Sequence, residues 1–243
     1  GYPGTPSTEV LETVAKNRQE NTYVEWSVNE KSAMEVGAGA AYTGARTMVT
    51  MKQVGLNVAA DPLMSLEYIG VKGGMVILVA DDPGPISSQT EQDTRHFARF
   101  SKLPCFDPST VQEAYDMVQE AFEYSEKYGT PVFFRSTTRV SHGYASIQVK
   151  DVEEYKNVEP EGFVKDTKRW VIFPKLSYQA HINIEARNEE LAKVFSQYKR
   201  NLLLPAGDDC KELNKGIATG GFNYTYVTEA MADLGRLREL KVS

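Results

Sequence analysis

The sequence predicts an α/β protein built on an open, mostly parallel sheet with helices on both faces. Two observations carry this. Short apolar runs at 47–51, 75–80 and 131–135 have strand length and little polar alternation, as in strands covered on both faces. Segments with helical spacing of apolar residues lie between them, the pattern of crossover connections in a parallel sheet.

Near the start, Thr5 can cap a first helix with Pro6 in its first turn, and Val10, Leu11, Val14 and Ala15 give that helix an apolar stripe. Asn29 opens a second helix whose inner face is unusually small: Ala33, Gly37, Ala40, Ala41 and Gly44. Such a face lets a helix lie close against its neighbour. After the strand at 47–51 comes a glycine turn at Gly55, and Asp61-Pro62 starts a helix to about residue 69. The strand at 75–80 is followed by Asp81-Asp82-Pro83-Gly84-Pro85, a loop rich in turn formers. His96 falls with Arg95 and Arg99 on a further helix. Ser109 and Gln112 make a capping-box pattern ahead of Val111, Ala114, Tyr115, Val118 and Phe122, and Gly129 suits the end of that helix.

Past about residue 148 the character changes. Residues 149–175 are charged and irregular, while 176–204 read as mainly helical with Leu191, Val194, Phe195 and Tyr198 on one face. Residues 216–240 read as strand, glycine turn at Gly220-Gly221, and helix. One such unit cannot make a core. The expected organisation is an α/β domain over 1–148, a partly helical linker over 149–214 that docks back, and the truncated start of a further α/β domain over 215–243. Because it also begins at a turn rather than a strand, the chain reads as a fragment.

Composition excludes several classes. The 243 residues are 41% apolar and 25% charged, and no apolar run approaches the ~20 residues a membrane span needs. Residues 1–9 lack the basic start and apolar stretch of a signal peptide, so a cytoplasmic protein with no membrane association is expected. Net charge is −6 without clustered Lys and Arg, which argues against a nucleic-acid partner. Cys105 and Cys210 are far apart, and two thiols cannot hold an iron–sulfur cluster, which takes about four. A disulfide between them is less expected than two free thiols. His96, His142 and His181 form no metal-ligand pattern, and neither a Ser-His-Asp pattern nor a P-loop is present.

Three segments carry chemistry: Gly-Tyr-Pro-Gly-Thr-Pro-Ser-Thr at 1–8, Asn-Glu-Lys-Ser-Ala-Met-Glu at 29–35, and Met-Lys-Gln-Val-Gly-Leu-Asn at 51–57. Singly, each has a plain structural explanation. A carboxylate at a helix start is favoured by the helix dipole, Thr-Pro is a cap, and the first four residues are a tight turn. In this order and spacing, however, they resemble the pyrimidine-binding domain of the 2-oxoacid:ferredoxin oxidoreductases, which are thiamine-diphosphate enzymes. The string from Met51 to Leu63 is similar to the alpha subunits of the family's indolepyruvate branch. The likeness is strong over residues 1–145 and weaker beyond.

The resemblance implies that Glu30 is catalytic. A carboxylate hydrogen-bonded to the cofactor's pyrimidine nitrogen favours the imino tautomer, whose exocyclic nitrogen can take the proton from C2 of the thiazolium. It further implies that Pro3, Val54 and Gly55 join Glu30 beside the thiamine, and that Thr5, Lys52 and Gln53 lie beside the substrate. Lys52 either holds the 2-oxoacid carboxylate as a point charge or is an ordinary solvated lysine. Glu35, over a turn further along the helix, is the competing carboxylate and reads as structural. Pyruvate-specific members carry an arginine after the strand equivalent to 75–80. Asp81-Asp82-Pro83 stands there instead, which speaks against pyruvate.

The family's Mg²⁺-anchoring Gly-Asp-Gly run is missing, its nearest counterpart being Gly207-Asp208-Asp209. Expected partners are therefore a diphosphate-binding domain of the same or a second copy, a beta subunit and ferredoxin, within an oligomer. Mg²⁺ and 4Fe–4S clusters are expected elsewhere than on this chain, and the fragment alone is expected to be inactive. The implied reaction converts an arylpyruvate such as indolepyruvate, with coenzyme A, to an acyl-CoA by oxidative decarboxylation. The alternatives are another 2-oxoacid (pyruvate or 2-oxoglutarate), or a binding module that kept the fold and lost the chemistry.

Overall fold

The structure, a computed structural model, describes residues 1–155, 158–204, 216–234 and 238–242. Helices α1 (Thr8–Lys16) and α2 (Glu30–Tyr42) precede strand β1 (Thr47–Lys52), and the short α3 (Gly55–Val58) and α4 (Ala60–Ile69) lead to β2 (Met75–Asp81). Next come α5 (Thr94–Phe100), β3 (Cys105–Phe106), α6 (Val111–Tyr128), β4 (Val132–Thr137) and α7 (Thr138–Ser141). All neighbouring strands are parallel, in the order β1-β2-β4-β3. The chain lays β3 at the edge and returns to place β4 inside it.

Burial explains the sheet. Every residue of β2 is buried. Val76 and Leu78 face a layer containing Phe106, Met117, Ala121 and Phe134, whereas Met75, Ile77 and Val79 face Met34, Met51, Leu63 and Leu66. Each fully buried side chain of this size contributes about 1.5–3 kcal/mol, so these two layers set the architecture. The small face of α2 does what its sequence predicts: a Cβ on Gly37 would stand 2.5 Å from the Val49 side chain, so the helix rests directly on β1.

Two helix starts differ from expectation. The cap of α1 is Ser7, not Thr5, because the Ser7 amide and hydroxyl both donate to the Gly4 carbonyl at 2.7 Å and hold residues 4–7 in a separate turn. The cap of α6 is Thr110, one residue beyond Ser109, with Glu113 acting in place of Gln112. The Thr110 hydroxyl accepts from the Glu113 amide at 3.2 Å, and the Glu113 carboxylate accepts from the Ser109 amide at 2.9 Å. A carboxylate is the stronger acceptor, so Thr110 and Glu113 win over the pattern with glutamine. At its other end α6 stops at Gly129, which is left-handed at φ 59°.

Beyond residue 141, among the described residues, the only regular piece before α8 (Pro174–Ser196) is a single 3₁₀ turn at Val152–Glu154. Helix α8 folds back through buried Ile184 and Leu191. Its last turn stacks Phe195 on Tyr124 with ring centroids 5.3 Å apart, and the residues after it set Tyr198 edge-on to Phe106 at 5.7 Å. Residues 202–204 are not the helical continuation expected but strand β5 (Leu202–Leu204). The Asn201 side-chain Nδ2 donates to the Phe195 carbonyl at 2.7 Å and turns the chain out of the helix, leaving three leucines without helical periodicity. With β6 (Gly216–Gly220) and β7 (Arg238–Val242), β5 forms a second sheet in the order β5-β7-β6, and α9 (Asn223–Leu234) connects β6 to β7. Strand β7 was not anticipated, because its alternating charges carry no apolar signal and its state is set by pairing with both neighbours. Cys210 and the Gly207-Asp208-Asp209 string lie outside the described residues. Among the described residues no helix is long and apolar enough to cross a membrane.

Candidate active site

The parallel strands end along one edge of the first sheet, and the three motif segments converge there. Gly1-Tyr2 runs beside β1, with the Tyr2 amide donating to the Thr50 carbonyl at 3.1 Å and the Ser27 amide donating to the Gly1 carbonyl at 2.9 Å. Gly4 is consequently pressed on Lys52: a Cβ at Gly4 would lie 2.9 Å from the Lys52 Cβ. Pro3 and Thr5 flank Gly4 and are exposed.

Asn29 caps α2 by accepting from the Ser32 amide at 2.9 Å, which makes Glu30 the first helical residue. The Glu30 carboxylate lies over Gly55, where a Cβ would stand 2.3 Å from Oε1. Only a residue without a side chain leaves the carboxylate in that place. Val54 is half-buried beside it, and Gly55, expected as a turn, opens α3. Gln53 is buried; its amide donates to the Ala80 carbonyl at 3.1 Å, its Nε2 donates to the Thr90 carbonyl at 3.2 Å, and its Oε1 has no partner. Lys52 Nζ donates to the Ser87 carbonyl at 3.3 Å. Glu35 is exposed further along α2. The direct contacts thus join Gly4 to Lys52 and Glu30 to Gly55.

The position where an arginine was sought after β2 has a different job. One oxygen of the buried Asp82 carboxylate accepts from the Ile86, Ser87 and Ser88 amides at 3.0, 2.9 and 3.0 Å and from the Ser88 hydroxyl at 2.8 Å. Its other oxygen accepts from the Thr138 hydroxyl at 2.8 Å. Burial alone would raise this carboxyl, but these donors outweigh it and hold it well below the usual carboxylate range. Asp82 fixes the loop that Lys52 leans on.

Sequence reasoning missed a second charged cluster on the same edge. Arg135, inside the apolar β4, sends Nε to Asp81 at 2.5 Å and Nη1 to Asp107 at 3.0 Å, with Asp93 at 3.7 Å. Arg95 pairs with Asp93 at 2.6 Å and reaches Asp107 at 3.7 Å. Burial pushes the Asp107 carboxyl up despite both arginines. One signal was available: an arginine within Val132-Phe-Phe-Arg requires a buried counter-charge, and Asp81 ends the adjacent strand. Burial also pushes the Cys105 thiol up, so it stays protonated. Among the described residues no group of His, Cys, Asp and Glu is placed to hold a metal ion.

Residues 1–202 match the family described as "Pyruvate flavodoxin/ferredoxin oxidoreductase, thiamine diP-bdg". The chain belongs to this family. Its relatives include the indolepyruvate oxidoreductase subunit IorA of Pyrococcus abyssi, 42% identical over 96% of this chain and 36% of the relative. The subunit of the same name from Methanothermobacter thermautotrophicus is 45% identical over 96% of this chain and 37% of the relative. The chain therefore spans little more than a third of the length of these curated relatives. Among solved structures, the 2-oxoglutarate:ferredoxin oxidoreductase from Magnetococcus marinus matches with a TM-score of 0.74 and 18% identity, over 99% of this chain and 49% of that one. At that identity the match speaks for the fold. The resemblance to the family's indolepyruvate branch and the open α/β fold both hold.

Proposed function

We propose that this chain supplies the aminopyrimidine half of a thiamine-diphosphate site in a ferredoxin-dependent oxidoreductase that oxidatively decarboxylates an arylpyruvate, such as indolepyruvate, to an acyl-CoA. The observation that carries the assignment is the Glu30 carboxylate resting on the side-chain-free Gly55 at the strand-end edge of the sheet. Ligands of open α/β sheets bind at such edges. The names of the relatives at 42% and 45% identity support the substrate class.

The residues present fit the cofactor's pyrimidine end. Glu30 offers an acceptor, and Gly55 supplies the cradle that a Cβ would fill. When bound, thiamine diphosphate supplies the carbon nucleophile that attacks the 2-oxoacid. The role of Glu30 is to accept a hydrogen bond from the ring nitrogen and hold the proton there; the Asn29 cap keeps its backbone in place. Pro3, Val54 and Gly55 shape the cofactor side, and Thr5 and Gln53 the substrate side. Lys52, beside Gly4, is the cation that would face the substrate carboxylate. Asp82 cannot take part, being spent on its loop.

In this reading residues 1–148 form the pyrimidine-binding unit and 149–214 the linker, whose β5 joins the sheet of the further α/β unit of 215–243. The diphosphate-binding domain, beta subunit, ferredoxin, Mg²⁺ and iron–sulfur clusters belong to the rest of an oligomeric cytoplasmic enzyme.

In the assembled enzyme, Glu30→Gln should slow exchange of the cofactor's C2 proton by about 100-fold or more, as general acid–base assistance is worth ~10²–10⁴. Glu35→Gln should stay near wild type. The Glu30 loss should appear in kcat with KM nearly unchanged. Proton-exchange NMR on both variants decides: abolition by Glu35→Gln with Glu30→Gln intact overturns the assignment.

A further inference from the structure

Two side chains on the substrate side of the site reach out to one loop, residues 83–92, between the end of β2 and α5. Lys52 Nζ donates to the Ser87 carbonyl at 3.3 Å, and Gln53 Nε2 donates to the Thr90 carbonyl at 3.2 Å. The loop is also fixed from its start, where the buried Asp82 carboxylate accepts from the Ile86, Ser87 and Ser88 amides. Across it, the Gly84 amide donates to the Glu91 carboxylate at 3.1 Å.

Apart from its prolines, Ile86 is the only large apolar residue of this loop, and it is 67% exposed. A lone exposed isoleucine is ordinary on a protein surface. This one differs in that its backbone is held on both sides. Its own amide is bound to Asp82 at 3.0 Å, and the carbonyl of the next residue takes the Lys52 ammonium. The fold thus fixes the place of a side chain whose burial contributes little to it. The dimensions suit an arylpyruvate. Successive Cα atoms are about 3.8 Å apart, and three C–C bonds of about 1.5 Å separate the substrate's carboxylate carbon from its ring. A carboxylate on Lys52 therefore leaves the ring within one residue's reach of Ile86. An ammonium has three donors, so Lys52 can hold Ser87 and the carboxylate together.

We propose that Ile86 is a specificity-determining residue, packing on the aromatic ring of the 2-oxoacid whose carboxylate Lys52 holds. The inference rests on the thiamine reading above and adds to it the contact that selects the substrate's side chain. A rigidly held loop is the usual place for such a contact.

The test is made on the assembled enzyme, by measuring kcat/KM for indolepyruvate, phenylpyruvate and pyruvate in the wild type, Ile86→Ser and Ile86→Leu. Ile86→Ser should lower kcat/KM for both arylpyruvates about tenfold relative to pyruvate, the scale on which apolar contacts in a pocket discriminate. Ile86→Leu keeps the apolar volume and should stay close to the wild type. Tm and exchange of the cofactor's C2 proton without substrate should be unchanged in both variants, because the side chain is exposed and that exchange involves no 2-oxoacid. Should the serine variant fail to assemble, Ile86→Ala takes its place in the same comparison. An unchanged preference, or an equal loss for all three 2-oxoacids, overturns the inference while C2-proton exchange stays normal. The thiamine reading fails by a different sign, normal exchange in Glu30→Gln. A wild type that turns over pyruvate and neither arylpyruvate overturns the substrate class and this inference with it.

Discussion

At the scale of single residues, the site depends on what is absent as much as on what is present. Gly55 does not need a left-handed backbone; it needs to lack a Cβ, because Glu30 Oε1 occupies that space at 2.3 Å. The clash of Gly55→Ala is with the Glu30 side chain from Cγ outward, 2.6 Å away at Cγ, so that side chain, at the open strand-end edge, must rotate away as a whole. Alanine also gains in helix propensity over glycine at the start of α3, by about 0.5–1 kcal/mol. Gly55→Ala should leave the urea midpoint unchanged or slightly raised while slowing C2-proton exchange in the assembled enzyme nearly as much as Glu30→Gln does. A variant that unfolds, or one that exchanges normally, would contradict the packing of these two residues. Glu30, Gly55, Lys52 and Gln53 were legible because their spacing along the chain forms a motif. Arg135 with Asp81, Asp93 and Asp107 was not, since its partners come from three other segments that only folding brings together.

At the scale of elements, helices with an apolar face and strands buried on both sides were readable from periodicity. The two-residue β3 and the charged β7 were not, because pairing rather than composition sets them. The docking of α8 is the interesting middle case: Leu191 and Phe195 showed that it had a face to bury, but not against what. It packs near α4, where Glu67 is buried. Burial pushes the Glu67 carboxyl up to about 7, and the charges of Arg187 and Lys102 offset this only in part, with Glu185 adding to the rise. Arg187 itself has Nε and Nη2 buried without a hydrogen-bond partner. The folded pKa exceeds the ordinary 4.5, so between about 4.5 and 7 the folded chain holds a proton that the unfolded chain has released. Stability is accordingly highest at the acid end of this window, falls as pH rises through it, and levels off above. Urea midpoints measured from pH 5 to pH 8 should decline for the wild type, and Glu67→Gln should remove that part of the slope. Identical slopes would mean that Glu67 is not protonated in the fold.

At the scale of the whole molecule, the chain carries two sheets, and one close contact between them involves a glycine with two separate reasons to be glycine. Gly221, between β6 and α9, sits at φ 56°, where a side chain is strained, and a Cβ there would lie 2.5 Å from the Asp107 carboxylate. Asp107 cannot step aside cheaply, because Arg135 holds it at 3.0 and 3.1 Å and is itself held by Asp81. The contact thus ties the second sheet to the buried charge cluster at the strand ends of the first. Gly221→Ala combines about 1 kcal/mol or more of backbone strain with displacement of a buried ion pair, whose disruption costs about 3–5 kcal/mol when a partner is lost outright. The first sheet keeps both of its apolar layers, to which neither Gly221 nor any residue of α9 belongs. Hydrogen exchange should therefore show faster opening in α9 and β6, with β1 and β2 protected as in the wild type. Loss of protection throughout would mean that the two sheets fold as one cooperative unit, and no change in α9 would mean that Gly221 does not hold the second sheet in place.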